Sequence, residues 1–217
     1  LGDLLEAGDL VLLVAPIDAS APKGRLILPQ VRAIRDILDA HAACAVVQPQ
    51  ELPALLAKAG RPRLVITDSQ AFGTVKGMVP EDVPLTSFSI LFARFKGVLE
   101  SAVRGAEAVS ALRDGDKVLI CEGCTHHRQC EDIGTVKLPG WIRRFTGAEP
   151  QFMFTSGGDF PDDLSPYKLI VHCGGCMLTE REMRCRRGLA ADSGVPFTNY
   201  GTLIAHMNGI LRRSLEP

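Results

Sequence analysis

Two short stretches of the chain concentrate residues that bind soft metals or carry thiol chemistry. They are Cys121-Glu122-Gly123-Cys124-Thr125-His126-His127, with Cys130 just beyond, and His172-Cys173-Gly174-Gly175-Cys176. Together they hold five of the seven cysteines in the chain. Thiolates and imidazoles grouped in this way bind zinc or an iron–sulfur cluster, or form a redox-active dithiol. The odd cysteine count and the clustering argue against a secreted disulfide framework.

Each stretch directly follows an apolar run that predicts a buried β-strand, 117–120 in one case and 167–171 in the other. Ligands of open α/β sheets bind beyond the carboxyl ends of the strands, so we expect the two stretches to converge. A helix is also predicted to begin directly after Cys176. The dipole of this helix would favour thiolates at its N-terminus. The Gly174-Gly175 pair would allow backbone N–H groups to approach sulfur.

The residues by themselves leave three kinds of site open. A Cys₄ zinc site would use both C-x-x-C pairs, although the 48 residues between them exceed the usual gap of about 15–20. A dithiol oxidoreductase would use Cys173 and Cys176, although the sequence lacks the aromatic and proline that normally accompany such a dithiol. An iron–sulfur cluster would be held by Cys124, Cys173 and Cys176, with a histidine or carboxylate near the fourth iron.

The elements that position these residues follow a β-α order, which favours parallel strands. The first half predicts strands over 9–14, 44–47 and 63–67, with helices over 29–43 and 51–59. Residues 68–85 are predicted as a linker, and residues 86–109 as a helix interrupted at Gly97. The second half predicts strands over 117–121, 151–155, 168–171 and 196–199, and helices over 139–145, 178–191 and 203–213.

The fold class expected from this order is α/β, with two small parallel-sheet domains, the second Rossmann-like with its site at the strand ends. Three strands leave exposed edges and a small core in the first domain, so we expect a homodimer. The net charge of −1 gives no reason to expect nucleic acid, and no apolar run is long enough to cross a membrane. No signal peptide is visible, so a cytoplasmic location is expected.

The motif Cys124-x-His126, separated by 45 intervening residues from His172-Cys173-x-x-Cys176, resembles the C-x-H…H-C-x-x-C signature of the FeFe-hydrogenase maturation GTPase, HydF. The resemblance extends to Glu131-Asp132-Ile133-Gly134. In the first half, the segments 14–18 and 21–30 are similar to the dimerisation domain of that family. The resemblance implies a dimerisation domain over 1–80 and an iron–sulfur cluster domain over 85–217.

The resemblance further implies a scaffold that carries a 4Fe–4S cluster on Cys124, Cys173 and Cys176. His126, His172 or Glu131 would supply an exchangeable fourth ligand or support it from nearby. The scaffold would receive a di-iron precursor with CO and CN⁻ ligands and deliver it to apo-FeFe-hydrogenase, with the radical-SAM maturases as further partners.

One part of the family pattern is missing from the sequence. No G-x-x-x-x-G-K-[ST] motif occurs, so GTP would act only through an N-terminal domain absent here. We therefore expect no catalytic residue in this chain. Cys121 and Cys130 are additional thiols without a role implied by the resemblance.

Overall fold

The computed structural model describes residues 1–17, 26–123 and 132–216. These residues form two compact units, one of residues 1–91 with 208–217 and the other of residues 92–207. Each unit is built on a four-stranded sheet in which every pairing is parallel, with helices beside it. The α/β fold in two small parallel-sheet domains expected from the sequence is confirmed.

The first unit alternates strands and helices along the chain. Its elements are β1 (Leu10–Val14), α1 (Leu28–Asp39), β2 (Ala43–Val47), α2 (Leu52–Ala59), β3 (Leu64–Thr67), α3 (Phe72–Val75) and β4 (Leu85–Ser87). The strand order is β2-β1-β3-β4. The inner strands are buried on both faces, which is why they appear in the sequence as unbroken apolar runs. Ile37 of α1 and Phe88 pack with these strands in the core.

The sequence prediction of three strands in this unit is wrong, because β4 provides a fourth. Leu85, Thr86 and Ser87 are fully buried and pair with β3. A strand of three residues between Pro84 and a helix is too short to show strand periodicity, so it was assigned to the linker and helix on either side. The linker also contains α3. The interruption at Gly97 is confirmed, since α4 (Phe88–Phe95) ends before it and α5 (Leu99–Glu107) begins after it.

The second unit has strand order β6-β5-β7-β8. Its remaining elements are β5 (Lys117–Glu122), α6 (Leu138–Thr146), β6 (Gln151–Ser156), β7 (Tyr167–His172), α7 (Glu180–Asp192), β8 (Phe197–Asn199) and α8 (Tyr200–Met207). Leu119, Ile170, Met183 and Phe197 belong to one buried cluster that joins the sheet to α7. Direct pairing of β5 with β7 places the ends of both cysteine-bearing strands at the same edge of the sheet.

The last predicted helix, 203–213, is two helices in the structure. Gly209 has a φ of +70° between α8 and α9 (Leu211–Leu215), a conformation that ends a helix. Helix α9 belongs to the first unit, where the Thr86 hydroxyl donates to the Ser214 carbonyl at 2.8 Å. No helix among the described residues is long and apolar enough to cross a membrane.

Candidate metal centre

Three adjacent strands end side by side at the carboxyl edge of the second sheet. In the strand register, Cys121 pairs with His172, and His172 pairs with Asn199. The next residues along the three strands are therefore neighbours: Glu122, Cys173 and Tyr200. Because the ends of parallel strands are where α/β sheets bind ligands, this edge is the candidate site.

Two backbone N–H groups point at the Cys173 sulfur. The Gly123 nitrogen lies 3.0 Å from Cys173 Sγ, and the Gly175 nitrogen lies 3.3 Å from the same atom. Hydrogen bonds of this kind stabilise a thiolate and recur at cysteines that hold iron–sulfur clusters. The approach of a glycine N–H to sulfur expected from the sequence is thus present at Gly175.

Glycine fits the crowded surroundings of both donor positions. Gly175 has a φ of +60°, and a Cβ there would stand 2.6 Å from Met183 Sδ. A Cβ on Gly123 would stand 2.8 Å from the Leu178 side chain. A side chain at either position would have to displace Met183 or Leu178, so glycine allows both N–H groups to approach Cys173 without rearrangement of these neighbours.

Lys96 holds the loop that carries the second cysteine pair. Its side chain is buried, and its ammonium group donates to the Gly175 carbonyl at 2.6 Å and to the Leu178 carbonyl. The lysine thereby places a positive charge against the loop of Cys173 and Cys176. A cation at this position favours thiolates and an anionic metal centre.

His172 is fully buried, and both of its ring nitrogens are engaged. Nδ1 lies 2.8 Å from the carbonyl oxygen of Cys173, which can only accept, so Nδ1 carries the proton. Nε2 then accepts from the Arg186 guanidinium at 3.2 Å. Burial, reinforced by the charge of Arg186, lowers the pKa of His172 to about 4, so the ring is neutral. In this arrangement His172 orients the backbone of Cys173.

Arg186 is the largest fully buried side chain in the described residues, with 1% of its surface exposed. Its guanidinium donates to the Gly157 carbonyl at 2.8 Å and to Glu182 at 2.7 Å, and it lies over the Phe160 ring at 5.1 Å. The arginine-rich segment Arg184-Cys185-Arg186-Arg187 predicts a solvated helix face, and the burial of Arg186 shows that this prediction is wrong for that residue. Arg186 instead ties α7 to the ends of β6 and β7, and so supports the backbone of the site.

We expect Arg186→Met to lower the free energy of unfolding by about 2–4 kcal/mol, because His172 and the Gly157 carbonyl would lose a buried donor. Urea unfolding followed by circular dichroism measures the change. Arg184→Met is the matched control. Arg184 lies on the same helix, is mostly exposed, and forms an ion pair with Glu180 at the surface. Its effect should stay within about 0.5 kcal/mol. Equal losses in the two variants would contradict the role given to Arg186.

Cys121 lies within β5 and is fully buried in the apolar cluster of the second unit. Burial raises the pKa of its thiol to about 11, so the group remains protonated. These are the properties of a small core residue rather than of a metal ligand. Cys185 is exposed on α7, and Cys44 is half-buried beside the core of the first unit.

The predicted helix directly after Cys176 begins later than expected. Helix α7 starts at Glu180, and the Thr179 hydroxyl caps it by accepting from the Glu182 N–H at 3.1 Å. Cys173 and Cys176 therefore lie in the loop before the helix, outside its first turn. The expected direct effect of a helix dipole on these thiols is therefore wrong, and the groups that favour thiolates here are the nearby N–H groups and Lys96.

The structure describes part of the predicted ligand set. Cys173, Cys176 and His172 lie together at the end of β7. Cys124, His126 and Glu131 lie outside the described residues. Within the described ranges, no group of three or more histidine, cysteine, aspartate or glutamate side chains has the geometry of a metal site. Sequence reasoning did not find Lys96, Arg186, Glu122 or Tyr200, which surround the second cysteine stretch.

Two family models match the chain, and between them they cover nearly all of it. Residues 1–97 match the hydrogen maturase F dimerization domain, and residues 100–217 match the hydrogen maturase F tetramerization domain. The chain belongs to the hydrogen maturase F family. This confirms the HydF resemblance found in the sequence, for the domains other than the GTPase domain.

Membership of the hydrogen maturase F family indicates a role in hydrogenase maturation. The two matched domains are named for tetramerization and dimerization, which supports a homodimer or a higher oligomer. This support for self-association does not depend on the exposed sheet edges from which a homodimer was expected. A search of curated proteins finds no match to the chain.

Proposed function

We propose that this chain is the scaffold and carrier portion of a hydrogen maturase F protein. Cys124, Cys173 and Cys176 would hold a 4Fe–4S cluster whose fourth iron keeps an exchangeable ligand. The cargo is a di-iron precursor with CO and CN⁻ ligands, destined for apo-FeFe-hydrogenase. The radical-SAM maturases are the other partners that this role implies.

The observation that carries the proposal is the contact between Gly123 and Cys173. The Gly123 nitrogen lies 3.0 Å from Cys173 Sγ, and Cys124 is the next residue in the chain. Gly123 is the last residue described before Cys124, so the described part of the first stretch ends in contact with the second cysteine pair. The described end of the first stretch and the second stretch therefore meet at one edge of the sheet, which supports a site shared by the two.

Two features of the described residues favour the cluster over the alternatives. A Cys₄ zinc site would need Cys121, whose thiol is buried in the core and has a pKa of about 11. A thioredoxin-like dithiol would occupy a helix N-terminus, whereas α7 begins four residues after Cys176. The two N–H donors at Cys173, with Lys96 beside the loop of the second cysteine pair, fit a cluster better than either alternative.

The residues around the site have separate roles in this proposal. His172 acts as support for the Cys173 backbone, since both of its ring nitrogens are engaged. His126 and Glu131 are then the remaining candidates for the exchangeable ligand. The bound cluster supplies an iron with a replaceable ligand. Three firm thiolates with one weaker ligand suit reversible capture of the cargo, for instance through a cyanide group.

Ligand exchange on the reconstituted cluster tests the proposal. The protein is reconstituted anaerobically with iron and sulfide, reduced, and observed by electron paramagnetic resonance before and after addition of cyanide or imidazole. We expect a 4Fe–4S signal whose g values shift with each added ligand. A 4Fe–4S signal that neither compound changes would contradict the exchangeable position.

A further inference from the structure

Tyr200 carries a buried hydroxyl that has no hydrogen-bond partner in the described part of the chain. The residue follows β8 directly and is 6% exposed. Among the residues that the structure describes, its hydroxyl oxygen forms no hydrogen bond. Because a buried hydroxyl without an acceptor is unfavourable, such atoms in folded proteins usually face a ligand or water.

The strand register places the backbone of Tyr200 beside Cys173, at the edge of the sheet that carries the candidate site. Tyr200 follows Asn199 just as Cys173 follows His172, and those two residues are paired on adjacent strands. The hydroxyl also lies near Glu122, because a Cβ on Gly134 would stand 2.4 Å from the Tyr200 oxygen and 2.6 Å from Glu122 Oε1. The hydroxyl is close to the Glu122 carboxylate without bonding to it.

The environment keeps the Tyr200 hydroxyl protonated. Burial, followed by the negative charges of Cys173, Glu122 and Asp132, raises the pKa of Tyr200 well above its ordinary value. The group is a hydrogen-bond donor, and no acceptor for it occurs among the described residues. The inorganic sulfides of an iron–sulfur cluster are acceptors of this kind.

We propose that the Tyr200 hydroxyl donates a hydrogen bond to a sulfide of the bound cluster. This inference rests on the proposed function and adds a residue of α8 to the site. Donors to cluster sulfur stabilise the reduced state, so Tyr200 raises the reduction potential of the cluster. Tyr200 bonds to a sulfide of the cluster and is not a ligand of iron.

The experiment compares Tyr200→Phe with Tyr167→Phe, which changes the only other tyrosine and lies at the opposite end of β7. Both variants and the unmodified chain are reconstituted anaerobically, and their iron and sulfide contents are measured. Pulsed electron–nuclear double resonance in D₂O then detects exchangeable deuterons near the reduced cluster. We expect equal cluster content, loss of one deuteron coupling only in Tyr200→Phe, and a more negative potential only in that variant.

A second substitution keeps the inference testable if Tyr200→Phe does not fold. Incorporation of 3-fluorotyrosine at position 200 retains the shape of the side chain and makes its hydroxyl a stronger donor. We expect the reduction potential to rise. An unchanged deuteron coupling and potential in Tyr200→Phe, or a falling potential with fluorotyrosine, would overturn the inference while leaving the cluster in place. Absence of iron from the unmodified chain would instead remove the proposed function, and the inference with it.

Discussion

Replacing Cys173 with alanine is expected to abolish the cluster, reducing bound iron and sulfide to background after anaerobic reconstitution. The thiolate at this position is the one that receives N–H donors from both cysteine stretches, Gly123 on one side and Gly175 on the other. A cluster that lost this ligand would keep only two thiolates, which is too few to retain it. Iron and sulfide assays with the visible absorption spectrum measure the loss.

The matched control for this change is Cys185→Ala, which removes an exposed thiol from α7. That variant should bind the same amount of iron as the unmodified chain. Cys121→Ala is a second comparison, expected to lower stability by removing a buried side chain while leaving the cluster type unchanged. Full iron content and an unaltered 4Fe–4S signal in Cys173→Ala would contradict the assignment of this ligand.

Gly105→Ala is expected to destabilise the second unit by at least about 3 kcal/mol. A Cβ at this position of α5 would stand 2.1 Å from the Phe197 carbonyl oxygen and 2.5 Å from its carbonyl carbon. The obstacle is the backbone of β8, which has no alternative rotamer, so the helix and strand would have to separate. That separation would also disturb the 2.7 Å hydrogen bond from the Thr198 hydroxyl to the Ala102 carbonyl.

Gly188→Ala provides the control for the glycine substitution. Gly188 lies in the middle of α7, and no atom lies within 4 Å of where its Cβ would stand. Alanine there should stabilise the helix by up to about 1 kcal/mol. Thermal unfolding by circular dichroism compares the two variants with the unmodified chain. Equal midpoints for Gly105→Ala and the unmodified chain would show that α5 and β8 do not pack as described.

The sequence predicted the sheet architecture because its inner strands are buried on both faces. Continuous apolar runs such as residues 10–14 and 118–121 give the strand positions and, with the helices between them, the parallel order. Strand β4 was missed because three residues cannot display a period. The late start of α7 was predictable from Thr179 followed three residues later by Glu182, a recognised N-terminal helix signal.

Location of the site was also predictable, since Cys173 follows a strand and parallel strands bind ligands at that end. The residues that support the candidate site could not be predicted from the sequence. Glu182 and Arg186 are spaced as an ordinary exposed i,i+4 pair, and nothing in the local sequence shows that the arginine is buried between two strand ends. Lys96 and Tyr200 reach the site through tertiary packing, from elements 77 and 27 residues away from Cys173 in sequence.

The metal content of anaerobically prepared protein tests the central claim most directly. Iron, acid-labile sulfide and zinc are determined per chain in protein purified and reconstituted without oxygen. The account predicts about four iron and four sulfide ions per chain, as a 4Fe–4S cluster requires, with zinc near background. One zinc ion per chain without sulfide, or no metal at all, would contradict it.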